Sequence, residues 1–184
     1  GWNGINVDAN QKSIAIFNKI RKNDINLNYA IIPSEQYKKG VRSIELYQAE
    51  KATGPGGITA TASVNKKIAA ERNFNKKQIV DAIDINTLFS IHKINEIDYL
   101  NIDLEGSDAE VLFDLDFSKV KIYLISIEDY DSIEDYTTNI NPSNQSKITT
   151  YMLKNDYNFI SRVCSTSIFV RNDSFDFDLH IIKN

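Results

Sequence analysis

Three carboxylates, Asp103, Glu105 and Asp108, fall within six positions of the stretch DYLNIDLEGSDAEVL, residues 98–112. They stand where an apolar segment gives way to a helix-like one. An acid at a strand end can take a proton from a hydroxyl, hold a ligand amine or help to bind a divalent ion, and it can equally serve a structural hydrogen bond. Asp108 has a simpler explanation. Ser107 and Glu110 form the S-x-x-E pattern of a capping box, and the helix dipole favours an acid in the first turn. Asp103 and Glu105 have no such helix role, so they are the first candidates for chemistry.

Two other strand-like segments end in acids: INVD in Asp8, and ISIED in Glu128 and Asp129. Ligands of open parallel sheets bind beyond the C-terminal strand ends. If these strands are parallel, Asp8, Asp103, Glu105, Glu128 and Asp129 converge on one rim. Asp8 can accept hydrogen bonds from ribose hydroxyls, or it can cap the helix that starts after it. His92 is the candidate imidazole base, with a structural histidine as the competing reading. His92 and His180 are the only histidines and lie far apart, so no histidine-based metal site is expected. Cys164, the single cysteine, is expected as a packed thiol. Tyr123 reads as core, Tyr130 as a cleft residue, and GPGG at 54–57 as at most a mobile flap.

These residues need elements to position them. GINVDAN reads as a strand, QKSIAIFNKIRKND as a helix on the spacing of Ile14, Phe17 and Ile20, and INLNYAII as a second strand. VRSIELYQAE and ITATASV are β-rich and flank the KATGPGG loop, which suggests a hairpin inserted around 41–64. NKKIAAERNFNKK is a short helix or a charged loop. QIVDAIDI reads as a strand and NTLFSIHKIN as a short helix capped by Asn86. IDYLNIDLEG is a strand, SDAEVLFDL a helix, KVKIYLISIEDYD the longest apolar strand and NPSNQSKITTYMLKND a helix. YNFISRVCSTSIFVRN reads as two antiparallel strands. Alternating β and α with a closing hairpin predicts an α/β sandwich with a mostly parallel sheet.

The 184 residues suit one domain with a full core. A net charge of −4 argues against a nucleic-acid partner, which usually requires a basic face. No apolar run is long enough to span a bilayer and no secretion signal opens the chain, so a cytoplasmic setting is the expectation.

GWNGINVDAN, FNKIRKNDINLNYAI, IDYLNIDLEGSDAEVL and LISIED, in this order, resemble the FkbM-type methyltransferases. The resemblance implies a Rossmann-like methyltransferase fold ending in an antiparallel hairpin, with S-adenosylmethionine as cofactor. It implies Asp8, with Ala9 beside it, at the ribose, Ala30 and Ile31 near the adenine, and Asp103 and Glu105 facing the methyl-transfer cleft. The acceptor would be a sugar or another small-molecule hydroxyl. Such enzymes open with a strand and a D-x-G-A-N-x-G turn. Neither is found ahead of GINVDAN, so an N-terminally truncated domain is the expectation. A non-catalytic binding or scaffolding module is the alternative.

Overall fold

The computed structural model describes residues 2–49, 62–129 and 146–174. The chain divides into two compact units, Gly1–Leu88 with Leu104–Ser107, and Phe89–Asp103 with Asp108–Asn184.

In the first unit, β1 (Ile5–Val7) leads into α1 (Gln11–Ile20) and on to β2 (Ile25–Leu27), which pairs with β1 in parallel. Asn10 caps α1 by accepting from Lys12 N, and Ile14 is its buried residue. INLNYAII is not one strand. It breaks at Asn28, whose side-chain amide donates to the carbonyls of Asp8 and Ala9 at 2.9 Å each. The chain resumes as β3 (Ala30–Ile31) in a different sheet. After α2 (Ser34–Lys38), β4 (Ser43–Gln48), β5 (Ala62–Ser63), α3 (Lys66–Glu71) and β6 (Lys76–Ile83) follow, giving the order β3-β6-β4-β5. β4 pairs antiparallel with both β5 and β6, so it is an inner strand of this sheet. The 51–57 glycine loop lies outside the described residues. Ala30, Ile32, Leu46, Val80 and Ala82 form the core, with Ala9 and Tyr37 packed against it.

In the second unit, β7 (Glu96–Ile102), α5 (Asp108–Phe113), β8 (Lys121–Glu128), α6 (Lys147–Lys154), β9 (Tyr157–Val163) and β10 (Thr166–Arg171) give the sheet β7-β8-β10-β9. β7 and β8 are parallel, and the last three strands are antiparallel neighbours. α4 (Ile85–Ile91) precedes β7. The sheet is lined by side chains at or near zero exposure: Ile122, Ile125, Ile127 and Phe169, with Leu112 and Met152 from the helices. The β9 register skips Ile160, a bulge on an edge strand.

The protein is therefore α/β, with the closing hairpin in place. The single mostly parallel sheet is not. Among the described residues the strands form three sheets, two of them mixed. β4 runs against both its neighbours and β10 against β8 and β9; the short turn at Cys164 and Ser165 leaves no room for a parallel crossover between β9 and β10. Cys164 is exposed at the β9–β10 turn, with φ 55, and is not a packed thiol. A turn connecting two antiparallel strands runs over the surface. No helix among the described residues is long and apolar enough to cross a membrane.

Candidate functional site

In the first unit, Asp8 follows β1 directly. Its Oδ1 accepts from Asn10 N at 2.7 Å, an Asx turn that carries the chain from strand to helix. The N-cap is Asn10, so Asp8 is not one. Oδ2 of Asp8 accepts nothing from the other described residues. Ala9 packs against the core cluster that holds Ala30. Ala30 is itself buried, whereas Ile31 is half-buried.

At the C-terminal end of β6, Asp84 caps α4. Its Oδ1 accepts from Thr87 N at 3.2 Å and from Ser34 Oγ at 3.3 Å, and the carboxylate is buried. The expected cap, Asn86, lies inside the helix. The D-x-x-T spacing of IDINT carries the Asp84 signal in the sequence.

The turn Leu104–Ser107 belongs to the first unit. Glu105 has φ 52 and Gly106 φ 112, so two left-handed residues follow one another. Arg72 Nη1 lies 2.6 Å from Glu105 Oε2, and Ser63 Oγ donates to Glu105 O at 3.1 Å. A Cβ on Gly106 would fall 2.3 Å from Ile68 Cδ1, which would have to move aside, and φ 112 is a conformation that favours glycine. The Ser107 hydroxyl is buried without a hydrogen-bond partner, so the expected capping box does not form.

In the second unit, the carboxylates of Asp103, Asp108 and Glu128 each place an oxygen within 4.8 Å of the other two. The parallel pairing of β7 and β8 accounts for this: Ile102 faces Ile127, so both strands end together, and Asp103 and Glu128 leave them side by side. Asp108 joins them from the first turn of α5 and is buried. Three acids this close can share a proton or surround a hard divalent ion. Helix chemistry alone accounts for Asp108 in the sequence. Its partner Glu128 is twenty positions away, so local pattern could not reveal the cluster.

The other expected residues do not join this cluster. Asp129, expected on the rim, points inward and is almost fully buried. Its Oδ2 accepts from Ser146 Oγ at 2.6 Å and Ser167 Oγ at 3.3 Å, and Arg162 Nη1 stands 3.7 Å away. β8 ends at Glu128, and the carboxylate of the next residue, Asp129, is taken up by this buried set of partners. His92 sits in the turn before β7, whereas Asp103 follows that strand. Seven strand residues at ~3.3 Å each separate the two by roughly 20 Å. Tyr123 is half-buried and donates to Glu96, while Tyr130, Tyr136 and His180 lie outside the described residues. Within the second unit Asp103 and Glu128 meet while Asp129 turns inward; within the first, Glu105 pairs with Arg72 and Asp8 follows a strand of a two-stranded sheet.

The family model described as the methyltransferase FkbM domain matches residues 1–159. The chain belongs to the FkbM methyltransferase family. Neither the curated proteins nor the solved structures compared with it contain a match. The FkbM match takes in Asp8, the Leu104–Ser107 turn and the three-carboxylate cluster alike. It ends inside β9, so the closing strand β10 lies beyond it.

Proposed function

We propose that this FkbM-family chain is an S-adenosylmethionine-dependent O-methyltransferase of Rossmann-like descent that acts on a sugar or another small-molecule hydroxyl. The observation that carries the reading is the Asp8 carboxylate. It follows a strand, it is held by its own Asx turn, and one of its oxygens is left over for a ligand. That acceptor suits a ribose, whose hydroxyls can donate to it. In this reading Ala9 stands beside Asp8 at the ribose, and Ile31 lies near the adenine with the buried Ala30 next to it.

S-adenosylmethionine supplies an electrophilic methyl group on a sulfonium. The chain's part is to place an acceptor hydroxyl in line with it and to remove the hydroxyl proton. Asp103 takes that proton: it is exposed, it follows β7 directly, and it stands beside Glu128 and Asp108. Glu105 is tied to Arg72 and His92 lies at the other end of β7, so neither is assigned this step.

Calorimetric titration with S-adenosylmethionine and S-adenosylhomocysteine tests the reading. Both are expected to bind, and Asp8→Ala to weaken binding by about 1–3 kcal/mol, the scale of a lost charged hydrogen bond. Equal affinity in the variant would rule out Asp8 as the ribose acid. No binding to the wild type would favour the non-catalytic module.

A further inference from the structure

We infer that Arg72 is a positioning residue: it latches the turn Leu104–Ser107, the segment to whose ends Asp103 and Asp108 are bonded. This rests on the transfer reading above, in which Asp103 acts at the acceptor.

Glu105 has a side chain yet occupies the left-handed region at φ 52, and Gly106 follows at φ 112. A residue with a side chain is disfavoured there, and such conformations persist only where the surroundings enforce them. Here the surroundings come from one stretch, residues 63–72. Ser63 is buried; its Oγ donates to Glu105 O at 3.1 Å and accepts from Asn65 N at 3.0 Å. Ile68 lies against Gly106, its Cδ1 2.3 Å from where a Cβ would stand. Arg72, the residue that ends α3, grips the Glu105 carboxylate at 2.6 Å.

The helix that presents Arg72 is itself well anchored. Asn65 caps α3 by accepting from Lys67 N and Ile68 N, and Ala69 is buried against Tyr47 and Phe74. Arg72 therefore projects from a fixed point. The ion pair is partly exposed, at 44% and 29%, and pairs of that kind contribute little to overall stability. Its consequence is local. Hydroxyl, guanidinium and apolar contact restrain the carbonyl, the side chain and the α-carbon of two successive residues, leaving the turn one conformation. Glu105 is then a handle for the latch and not a base.

Hydrogen–deuterium exchange on the 184-residue chain tests this. Arg72→Ala is expected to raise exchange at the amides of 104–108 by on the order of tenfold, while the β4–β6 amides keep their protection. Glu105→Gln should do the same, the double variant should add nothing further, and Arg72→Lys should restore most of the protection. The carboxyl 13C signals of Asp103 and Asp108 should shift in Arg72→Ala and return in Arg72→Lys. Unchanged exchange at 104–108, a loss spread equally over β4–β6, or unmoved carboxyl signals would each overturn the latch. S-adenosylmethionine titration of the wild type separates the two ideas: no binding removes the transfer reading, and the exchange result still decides the latch.

Discussion

Arg162 Nη1 stands 3.7 Å from Asp129 Oδ2, with the two side chains 9% and 1% exposed. Arg162 also donates through Nε to Cys164 O at 3.0 Å and through Nη2 to Asp129 O. The pair ties the end of β8 to the β9–β10 turn, and Asp129 N donates to Ser165 O at 2.7 Å across the same junction. Removing one member of a buried pair strands the other charge away from water. Arg162→Met is therefore expected to cost about 3 kcal/mol in urea denaturation. Arg162→Met combined with Asp129→Asn should cost less than Arg162→Met alone; a larger cost would show that the carboxylate is not the group left stranded.

Tyr157 gives the clearest dependence on pH. Its hydroxyl donates to Ile122 O at 2.7 Å inside the second unit. Burial, partly opposed by Arg171, raises its pKa from the ordinary 10.0 to about 12. A raised folded-state value means that the folded chain holds the proton more tightly. The contribution is fully present below the unfolded pKa near 10.0 and is lost as pH rises through about 12. Urea midpoints should fall across that window in the wild type and fall less in Tyr157→Phe. At neutral pH the variant should lose about 1–2 kcal/mol, because the Ile122 carbonyl loses its buried donor. Parallel pH curves for the two proteins would refute this.

Gly106→Ala meets two penalties at once: φ 112, and a Cβ 2.3 Å from Ile68 Cδ1. A loss of about 2 kcal/mol is expected by thermal unfolding. Adding Ile68→Ala should recover only part of it, since truncating the neighbour removes the clash but not the backbone strain. Full recovery would mean that the left-handed conformation is not maintained.

Asp84→Ala should cost about 1 kcal/mol or somewhat more, because it uncaps α4 and leaves Ser34 Oγ without this acceptor. Asp84→Asn keeps an oxygen for Thr87 N and should retain most of the stability. A melting temperature unchanged in Asp84→Ala would show that α4 does not depend on this cap.

The sequence carried the signals that act over a few residues. The spacing of Ile14 and Phe17 indicated α1, the alternation in YNFISRVCSTSIFVRN indicated the closing hairpin, and the ordered segments from GWNGINVDAN to LISIED indicated the family that the 1–159 match shows. Pairing between distant segments was not legible. INLNYAII looks uniform as a string, yet Asn28 divides it because its amide is needed by carbonyls about twenty positions away. The turn of S-x-x-E looked like a cap, but Ser107 makes no such bond.

By itself the sequence determined which acids end strands, since a carboxylate is costly inside an apolar run and collects where the run stops. It could not determine which of them meet. Tertiary structure decided that Asp103, Asp108 and Glu128 share a cluster, that Glu105 turns to Arg72, and that Asp129 is buried beside Arg162. The reason is reach. Caps and periodicity are set by neighbours within about a helical turn, whereas each of these partners comes from another element, brought close only when strands pair in register and helices pack on them.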